Sequence, residues 1–347
     1  MSAEENIPVF PELTIQDIFN CQISSWYPKF SNISMKTTII RPLPAAFREY
    51  LQADGVFPPI GSNDSEDGQE PDDDIENSSG SDESLLNNTF SFPDLDKTIR
   101  TVIEDYGAVF PKLNWSSPKD AQWILSTSEF LRCSSPADVY LSLKASDFIH
   151  HDLDPTSAFE GIRDPNPVYD LELALRKWYH FDRSREMRCF VRDGTLIGIS
   201  QRDAVYYDFL FSSSMPETIM QTIQTFWERD IRDQYGSTSS YVVDVLLTRD
   251  FKRLHIVDFN PFIAKTDPLL FTYDELRTIF ISSREPPFAP VVRIIDNPAH
   301  PYANVNAPRY QHNMVPLDAL ALSHGRNRAD FANALAEAVK EANSASA

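Results

Sequence analysis

The spacing of apolar residues along this chain predicts both helices and strands. Apolar residues three and four positions apart place Ile219, Ile223 and Phe226 on one helical face, and similar spacing recurs elsewhere. Alternating or β-branched apolar residues predict strands instead. Helices are expected over residues 44–53, 94–106, 216–233 and 328–340, and strands over 37–40, 139–144 and 169–178, with an edge strand over 291–295.

Two predicted hairpins indicate the fold class. Asp193-Gly194 is a strong turn signal between apolar runs at 187–191 and 196–200. A second pair of apolar runs, separated by a polar loop, follows within residues 241–259. Helices mixed with antiparallel hairpins are typical of an α+β fold.

The segment from 61 to 90 differs in composition from the rest of the chain. Gly, Ser, Asn, Asp and Glu dominate it, so it has little apolar surface to offset the entropy of ordering. We expect a disordered acidic insert that is either a solvated linker or a regulatory segment. Residues 49–96 contain fourteen acidic residues and no basic one, so the rest of the chain carries only −6 of the net charge of −20.

Domain organisation follows from these changes in composition. Residues 1–60 are expected to form the N-terminal part of a first subdomain, and residues 91–283 the core that follows the 61–90 insert. Seven prolines between 286 and 316 forbid long regular elements there. Residues 284–347 are therefore expected to be a proline-rich tail that ends in a short helix.

Composition also excludes several classes of protein. The chain has 347 residues and is 42% hydrophobic, but no apolar run approaches the roughly 18–20 residues that span a bilayer. A net charge of −20 argues against a general nucleic-acid binder. The N-terminus lacks the order of a secretory signal and the three cysteines are widely spaced, which favours free buried thiols and a cytoplasmic location. A monomer is expected.

The second predicted hairpin carries the strongest candidates for chemistry. Asp244 lies within an apolar run, and Asp258 and Asn260 end the next one. A buried carboxylate is costly without a cation or strong donors, and paired strands would bring two acids and an amide oxygen together. Such hard oxygen ligands suit Mg²⁺. The spacing leaves open that each Asp instead caps a turn or pairs with an arginine.

Several cations on apolar segments are candidates to bind nucleotide phosphates. They are Lys112, Lys144, Arg176, Lys177 and Arg188. An ordinary ion pair is the alternative for each of them. The chain has only ten glycines and lacks the Gly-x-x-x-x-Gly-Lys, Gly-x-Gly-x-x-Gly and Gly-x-Ser-x-Gly motifs, and its histidines show no zinc-ligand spacing.

In the order of these residues the chain resembles ATP-grasp proteins, and more closely the cell division cycle protein 123 family. One matching stretch is Phe-Pro-Lys-Leu-Asn-Trp-Ser-Ser-Pro-Lys-Asp-Ala at 110–121, and another is Val-Asp-Phe-Asn-Pro-Phe at 257–262. Shorter matches lie at 21–28, 175–178, 188–191 and 199–203. Together they cover most of residues 20–280, but not the acidic insert or the extreme C-terminus.

The resemblance implies an ATP-grasp fold, in which two α+β subdomains enclose a nucleotide cleft and an extended C-terminal tail follows. It implies an assembly factor for eukaryotic translation initiation factor 2 (eIF2), which binds the γ subunit through the N-terminal segment and the tail near 286–311. It assigns Asp244, Asp258 and Asn260 to Mg²⁺. The residues that it assigns to ATP are Lys112, Asn114, Trp115, Ser116, Lys144, Arg176, Lys177, Trp178, Arg188 and Asp203.

Two departures from the ATP-grasp pattern bear on enzymatic activity. ATP-grasp ligases usually have a glutamate where Asp258 stands, and a glycine-rich loop where Lys144 is followed by Ala-Ser-Asp-Phe. Phosphoryl transfer needs the phosphates positioned and shielded from water. An ATP-binding chaperone with weak or no turnover is therefore favoured over the two alternatives, a ligase that uses an acyl phosphate and a scaffold with a vestigial site.

Overall fold

The computed structural model describes residues 7–62, 90–125, 129–162, 167–180, 182–212, 214–236 and 238–304. Helices occur together with strands that pair mainly antiparallel, which confirms the α+β class. The helices are α1 (Ile15–Asn20), α2 (Ile23–Phe30), α3 (Ala46–Gln52), α4 (Pro93–Tyr106), α5 (Pro136–Lys144), α6 (His150–Leu153), α7 (Pro155–Ala158), α8 (Met215–Phe226), α9 (Tyr273–Ser282) and α10 (Pro301–Asn304). The strands are β1 (Thr37–Ile40), β2 (Val109–Lys112), β3 (Leu173–Lys177), β4 (Glu186–Arg192), β5 (Thr195–Gln201), β6 (Tyr241–Leu247), β7 (Leu254–Pro261) and β8 (Val291–Arg293).

The described residues divide into two compact units, each with its own sheet. The five-stranded unit takes its residues from 1–37, 155–168 and 179–312. The three-stranded unit takes its described residues from 38–154 and 169–178. The domain boundaries expected from composition remain a prediction.

The five-stranded sheet has the strand order β7-β6-β4-β5-β8. Its first four strands pair antiparallel, and β8 lies parallel to β5 at the edge. Both predicted hairpins are confirmed. Asp193 and Gly194 have φ values of 46° and 71°, the left-handed conformation that a tight two-residue hairpin turn requires.

Apolar side chains cover parts of both faces of this sheet. One cluster combines strand residues with α9 and the segment before it, and comprises Phe190, Ile197, Val242, Phe262, Phe271, Leu276 and Phe280. On the other face the ring of Phe259 stacks on Tyr235 at 4.1 Å and lies 5.3 Å from Trp26. Phe259 lies on the face opposite to that of Val242, because Val242 lies opposite Asn260 and successive side chains of a strand point to opposite faces.

The three-stranded sheet has the order β1-β3-β2 and packs against helices of its own unit. Phe47, Tyr50, Phe92 and Tyr140 form an aromatic centre in which neighbouring rings lie 5.7–6.3 Å apart. Edge-to-face rings at such distances stabilise a core beyond the area that they bury.

The prediction of a strand over residues 139–144 is wrong, because these residues belong to helix α5. Ser135 caps its N-terminus by accepting from the amide of Asp138, and Pro136 occupies the first turn. Every residue of α5 is buried, so its sequence lacks the polar face by which a helix is recognised.

Most of the other predicted elements are confirmed with small changes of boundary. The strand predicted over 169–178 is only the five residues of β3, and α8 continues into a π-helical turn at Trp227–Ile231. The three cysteines are free and buried. Across the described ranges, no helix is long and apolar enough to cross a bilayer. The predicted helix at 328–340 and nearly all of the acidic insert lie outside the described residues.

Candidate functional site

A row of polar residues crosses all five strands of the larger sheet. Asp258 of β7 lies opposite Asp244 of β6, which lies opposite Arg188 of β4. The row continues through Ser200 of β5 to Arg293 of the edge strand. Directly opposite residues of paired strands point to the same face, so residues distant in sequence form one polar band.

Arg188 and Asp244 form a buried ion pair at the centre of this band. Nε and one terminal nitrogen of Arg188 donate to the two carboxylate oxygens of Asp244 at 2.7 and 2.8 Å. Burial alone lowers the pKa of Arg188, but the Asp244 carboxylate more than offsets this, so the pKa of the guanidinium is raised above its ordinary value. Asp244 thus pairs with an arginine, the alternative that its spacing had left open.

Two further contacts fix the position of this pair. Arg202 Nε lies 3.2 Å from the same Asp244 carboxylate and 3.3 Å from Glu186. The other terminal nitrogen of Arg188 donates to the main-chain oxygen of Asp267 at 2.8 Å. Arg188 therefore joins the strands to the loop before α9. Nothing in the sequence pattern singles out Arg202 or Asp267.

Asp258 and Asn260 lie beside this pair on β7. Asp258 Oδ1 accepts from the amide of Phe259 at 3.1 Å. Nδ2 of Asn260 is buried and has no hydrogen-bond partner among the described residues. Rotation of the side-chain amide by 180° exchanges its nitrogen and oxygen, so Oδ1 of Asn260 would then occupy this position and could bind a cation.

These residues fit a magnesium ion, with one restriction. Carboxylate and amide oxygens are the donors that Mg²⁺ takes, and Asp258 and Asn260 share a strand face. Arg188 donates to both carboxylate oxygens of Asp244 and Arg202 donates to Oδ2, so the two arginines compete with a metal ion for this carboxylate. Among the described residues, no group of three or more His, Cys, Asp and Glu side chains is arranged to hold a metal.

In the three-stranded unit, two of the predicted cations share one face of the sheet. Phe110 lies opposite Arg176, and Lys112 lies opposite Ala174 two positions along each strand. Period-two alternation therefore places Lys112 and Arg176 on the same side, and both are buried. The ammonium group of Lys112 also donates to the main-chain oxygen of Trp115, at the start of the loop that follows β2.

Asp152 organises this loop, although the sequence analysis missed it. Its buried carboxylate accepts from the amides of Trp115 and Ser116 at 2.8 and 2.9 Å. It also accepts from the Ser116 hydroxyl at 2.6 Å, and it lies 2.9 Å from Nδ1 of His151. One side chain thus fixes the loop's backbone from a helix more than thirty residues away in sequence. The sequence carries no local signal of this contact.

Other predicted ATP residues of this unit have structural partners. The side chain of Asn114 donates to the main-chain oxygen of Asp170 and accepts from the amide of Glu172. Nε1 of Trp178 donates to the main-chain oxygen of Phe130 at 2.9 Å. Lys177 is the last residue of β3, and it is half-buried.

Lys144 occupies the end of helix α5, not the end of a strand. Its ammonium group donates to the main-chain oxygens of Tyr50 and Ala53, at the C-terminus of α3, at 2.6 and 2.5 Å. It also lies 4.8 Å from the ring centre of Phe57. Burial lowers the pKa of Lys144 to about 8. In this arrangement Lys144 caps a helix within its own unit.

The predicted site residues therefore fall into two groups. Asp203, whose carboxylate accepts from the hydroxyl of Tyr207 at 2.6 Å, belongs to the five-stranded unit together with Arg188 and the three predicted metal ligands. The remaining eight belong to the three-stranded unit.

Comparison with known proteins identifies the family. The profile of the D123 family matches residues 26–323, which is most of the chain. The chain belongs to the D123 family.

Relatives of the D123 family carry names that agree with the resemblance found in the sequence, which is thereby confirmed. The chain is 35% identical to the "Translation initiation factor eIF2 assembly protein" of Vanderwaltozyma polyspora, over 92% of this chain and 89% of the relative. It is 39% identical to the protein of the same name from Xenopus tropicalis, over 76% of this chain and 78% of the relative. The solved structure of Cdc123 from Schizosaccharomyces pombe has a TM-score of 0.66 and 31% identity, and the match covers 83% of this chain and all of that one. The D123 chain described here thus has the Cdc123 fold.

Proposed function

We propose that this chain is an assembly factor for eIF2 that binds ATP with Mg²⁺ and recognises the γ subunit. The assembly role rests on one observation, the 35% identity that extends over 92% of the chain to a relative named as an eIF2 assembly protein. An alignment of that extent covers residues of both units. The three free buried cysteines favour a reducing compartment such as the cytoplasm.

The polar band of the larger sheet supports the nucleotide part of the proposal. Asp258 and Asn260 would hold the magnesium ion, with one oxygen of Asp244 as a further ligand. Bound Mg²⁺ would neutralise phosphate charge. Arg188 would hold Asp244 in place and remain available, through its positive charge, to a phosphate oxygen. Lys112 and Arg176 are the cations of the three-stranded unit that we assign to ATP, as the ATP-grasp resemblance implies.

We assign binding of the nucleotide, and not a ligase reaction, to this chain. The segment after Lys144 lacks the glycine-rich loop of ATP-grasp ligases, and the ammonium group of Lys144 already binds two main-chain oxygens. A nucleotide that binds one conformation more tightly shifts the population towards it, which is enough for a chaperone.

The N-terminal segment supports the partner assignment. Arg192 donates to the main-chain oxygens of Pro8 and Val9, and Arg277 donates to that of Ile7. An extended segment held through its main chain is an ordered surface that a partner could contact. The proline-rich segment near 286–311 is the second proposed contact, of which residues up to 304 are described.

Two measurements test the proposal. Titration calorimetry with ATP in the presence and absence of Mg²⁺ should show binding that depends on the metal, without release of ADP. Purified γ subunit should bind the chain, and catalytic or stoichiometric amounts of the chain should increase the yield of eIF2 heterotrimer from separate subunits. Absence of γ-subunit binding would refute the assembly role, and ADP release coupled to an acceptor would favour a ligase.

A further inference from the structure

One loop of the five-stranded unit exposes several large apolar side chains. It follows β5, and Val205, Phe209 and Phe211 are 37%, 36% and 52% exposed within it. Single exposed apolar residues are ordinary, but several on one short loop mark an interaction surface more often than chance.

The hairpin loop between β6 and β7 adds a third aromatic residue to this surface. The ring of Phe251 lies 6.4 Å from that of Phe209, and the guanidinium of Arg185 lies 4.9 and 5.3 Å from the two ring centres. Arg185 also donates to the main-chain oxygen of Arg249 at 3.1 Å. We call the set of Val205, Phe209, Phe211, Phe251 and Arg185 the aromatic patch.

Hydrogen bonds hold the aromatic patch in one conformation. Nε2 of the buried Gln201 donates to the main-chain oxygens of Asp203 and Val205 at 2.8 and 2.6 Å. The hydroxyl of Tyr207 donates to Asp203, and the ring of Tyr207 lies 6.0 Å from that of Phe209. A surface that is ordered before binding loses less entropy when a partner docks.

The charge around the aromatic patch is opposite to that of the whole chain. Residues 182–185, 202–211 and 248–253, which form and flank the patch, together contain six cations and four acids, whereas the chain has a net charge of −20. Three of these acids accept local hydrogen bonds: Asp182 from Ser184 and Arg185, Asp203 from the hydroxyl of Tyr207, and Asp250 from the hydroxyl of Thr248. Lys252 and Arg253 are exposed, and their positive charges would attract an acidic partner.

We infer that the aromatic patch is a docking surface for an acidic segment of the eIF2 partner that carries at least one large apolar side chain. The apolar side chain would lie on Phe209 and Phe251, and the acids would face Lys252 and Arg253. This inference rests on the proposed function, because it takes eIF2 as the partner. Aromatic and basic residues together also suit single-stranded RNA, and the test below treats binding of RNA as a separate outcome.

The test compares two patch variants with matched controls. Phe209→Ser/Phe211→Ser removes exposed aromatic surface, and Phe148→Ser removes a similarly exposed phenylalanine elsewhere. Lys252→Glu/Arg253→Glu reverses two exposed charges, and Lys36→Glu/Lys97→Glu reverses two exposed charges outside the patch. Because the changed residues are exposed or partly exposed, each variant should keep the unfolding midpoint of the wild type.

Affinity for purified γ subunit and for the eIF2 heterotrimer is measured at 50 and 300 mM salt. Both patch variants should bind at least about tenfold more weakly than the wild type at low salt, whereas the controls bind as the wild type does. In the charge-reversed variant the affinity should also depend much less on salt than in the wild type. Wild-type binding that the patch variants retain would overturn the inference and leave the proposed function standing. If the wild type binds no eIF2 component, both the inference and the proposed function fail. Binding of a single-stranded RNA oligonucleotide that depends on the patch would make nucleic acid the occupant.

Discussion

The ammonium group of Lys144 lies 5.0 Å from the ring centre of Tyr50 and donates to the main-chain oxygen of the same residue. The charge is therefore taken out of water at the C-terminus of α3, where main-chain oxygens and an aromatic face replace only part of its hydration. This accounts for the lowered pKa of Lys144.

Lys144 should make stability depend on pH above 8. Its pKa is about 8 in the folded chain and near 10.5 when unfolded, so between these values the unfolded chain binds more protons. The contribution to the free energy of unfolding therefore rises with pH, by at most about 1 kcal/mol between pH 8 and 9. Urea unfolding of the wild type and Lys144→Met at pH 7, 8 and 9 checks this. A difference between them that stays constant with pH would contradict it.

The buried pair of Arg188 and Asp244 should be costly to break from one side. Asp244→Asn leaves a buried guanidinium without its carboxylate, and we expect a loss of about 3 kcal/mol in the free energy of unfolding. Arg188→Met/Asp244→Leu removes both charges and should recover much of that loss. Urea unfolding of Arg188→Met, Asp244→Leu and the double variant gives the coupling energy. Additive effects would mean that the pair does not act as a unit.

Asp258 allows metal binding to be separated from folding. It is only half-buried and lies opposite another carboxylate, so Asp258→Asn should change the free energy of unfolding by less than about 1 kcal/mol. The same change should weaken ATP–Mg²⁺ binding at least about tenfold in calorimetry, because it removes a charged oxygen ligand. Asp250→Asn, on the loop of the same hairpin, is the control. Equal ATP–Mg²⁺ affinity of Asp258→Asn and wild type would remove Asp258 from the proposed site.

Much of the five-stranded sheet could be predicted from the sequence because its signals are local. The Asp193-Gly194 turn fixes one hairpin, and an acid within an apolar run marks Asp244 as buried. The strand order and register place Arg188 beside Asp244, and no local pattern encodes that arrangement. The sequence could therefore predict that Asp244 needs a cation, but not which one.

Contacts that are distant in sequence explain what could not be predicted. Helix α5 was mistaken for a strand because it is buried on all sides and alternates Val139, Leu141 and Leu143 by chance. Its capping signal, Ser135 followed by Pro136, was the better evidence. Two of the four contacts of the Asp152 carboxylate go to main-chain amides, which every residue type except proline provides, so they leave no mark on the sequence.

Asp152 should control the order of the loop at Trp115 and Ser116. Asp152→Asn replaces an acceptor oxygen by an NH₂ group that faces the main-chain N–H donors. We expect the free energy of unfolding to fall by about 2 kcal/mol or more. Ser116→Ala removes one hydrogen bond and should lower the free energy of unfolding by about 1 kcal/mol. Hydrogen exchange of residues 113–117 should accelerate in Asp152→Asn and change less in Ser116→Ala. Unchanged protection in both variants would show that the loop is held by other contacts.

Glu275 should make the attachment of β8 sensitive to acid. The two carboxylate oxygens of Glu275 accept from Arg293 of β8 at 2.7 and 2.9 Å, and this hydrogen bonding lowers the pKa of Glu275 to about 2. A carboxyl whose pKa falls on folding stabilises the native state above its unfolded pKa of about 4.5 and loses that contribution as pH falls towards 2.

The ion pair is partly exposed, so solvent screening limits its contribution to about 1 kcal/mol or less. Hydrogen exchange of residues 291–293 at pH 6 and at pH 3.5 should show protection that declines with acid in the wild type. In Glu275→Gln the protection should already be reduced at pH 6 and change little on acidification, because no carboxylate remains to be protonated. Glu217→Gln, an exposed glutamate in the first turn of α8, is the matched control and should behave as the wild type does. A wild-type decline that Glu275→Gln reproduces in full would assign the acid sensitivity to another group.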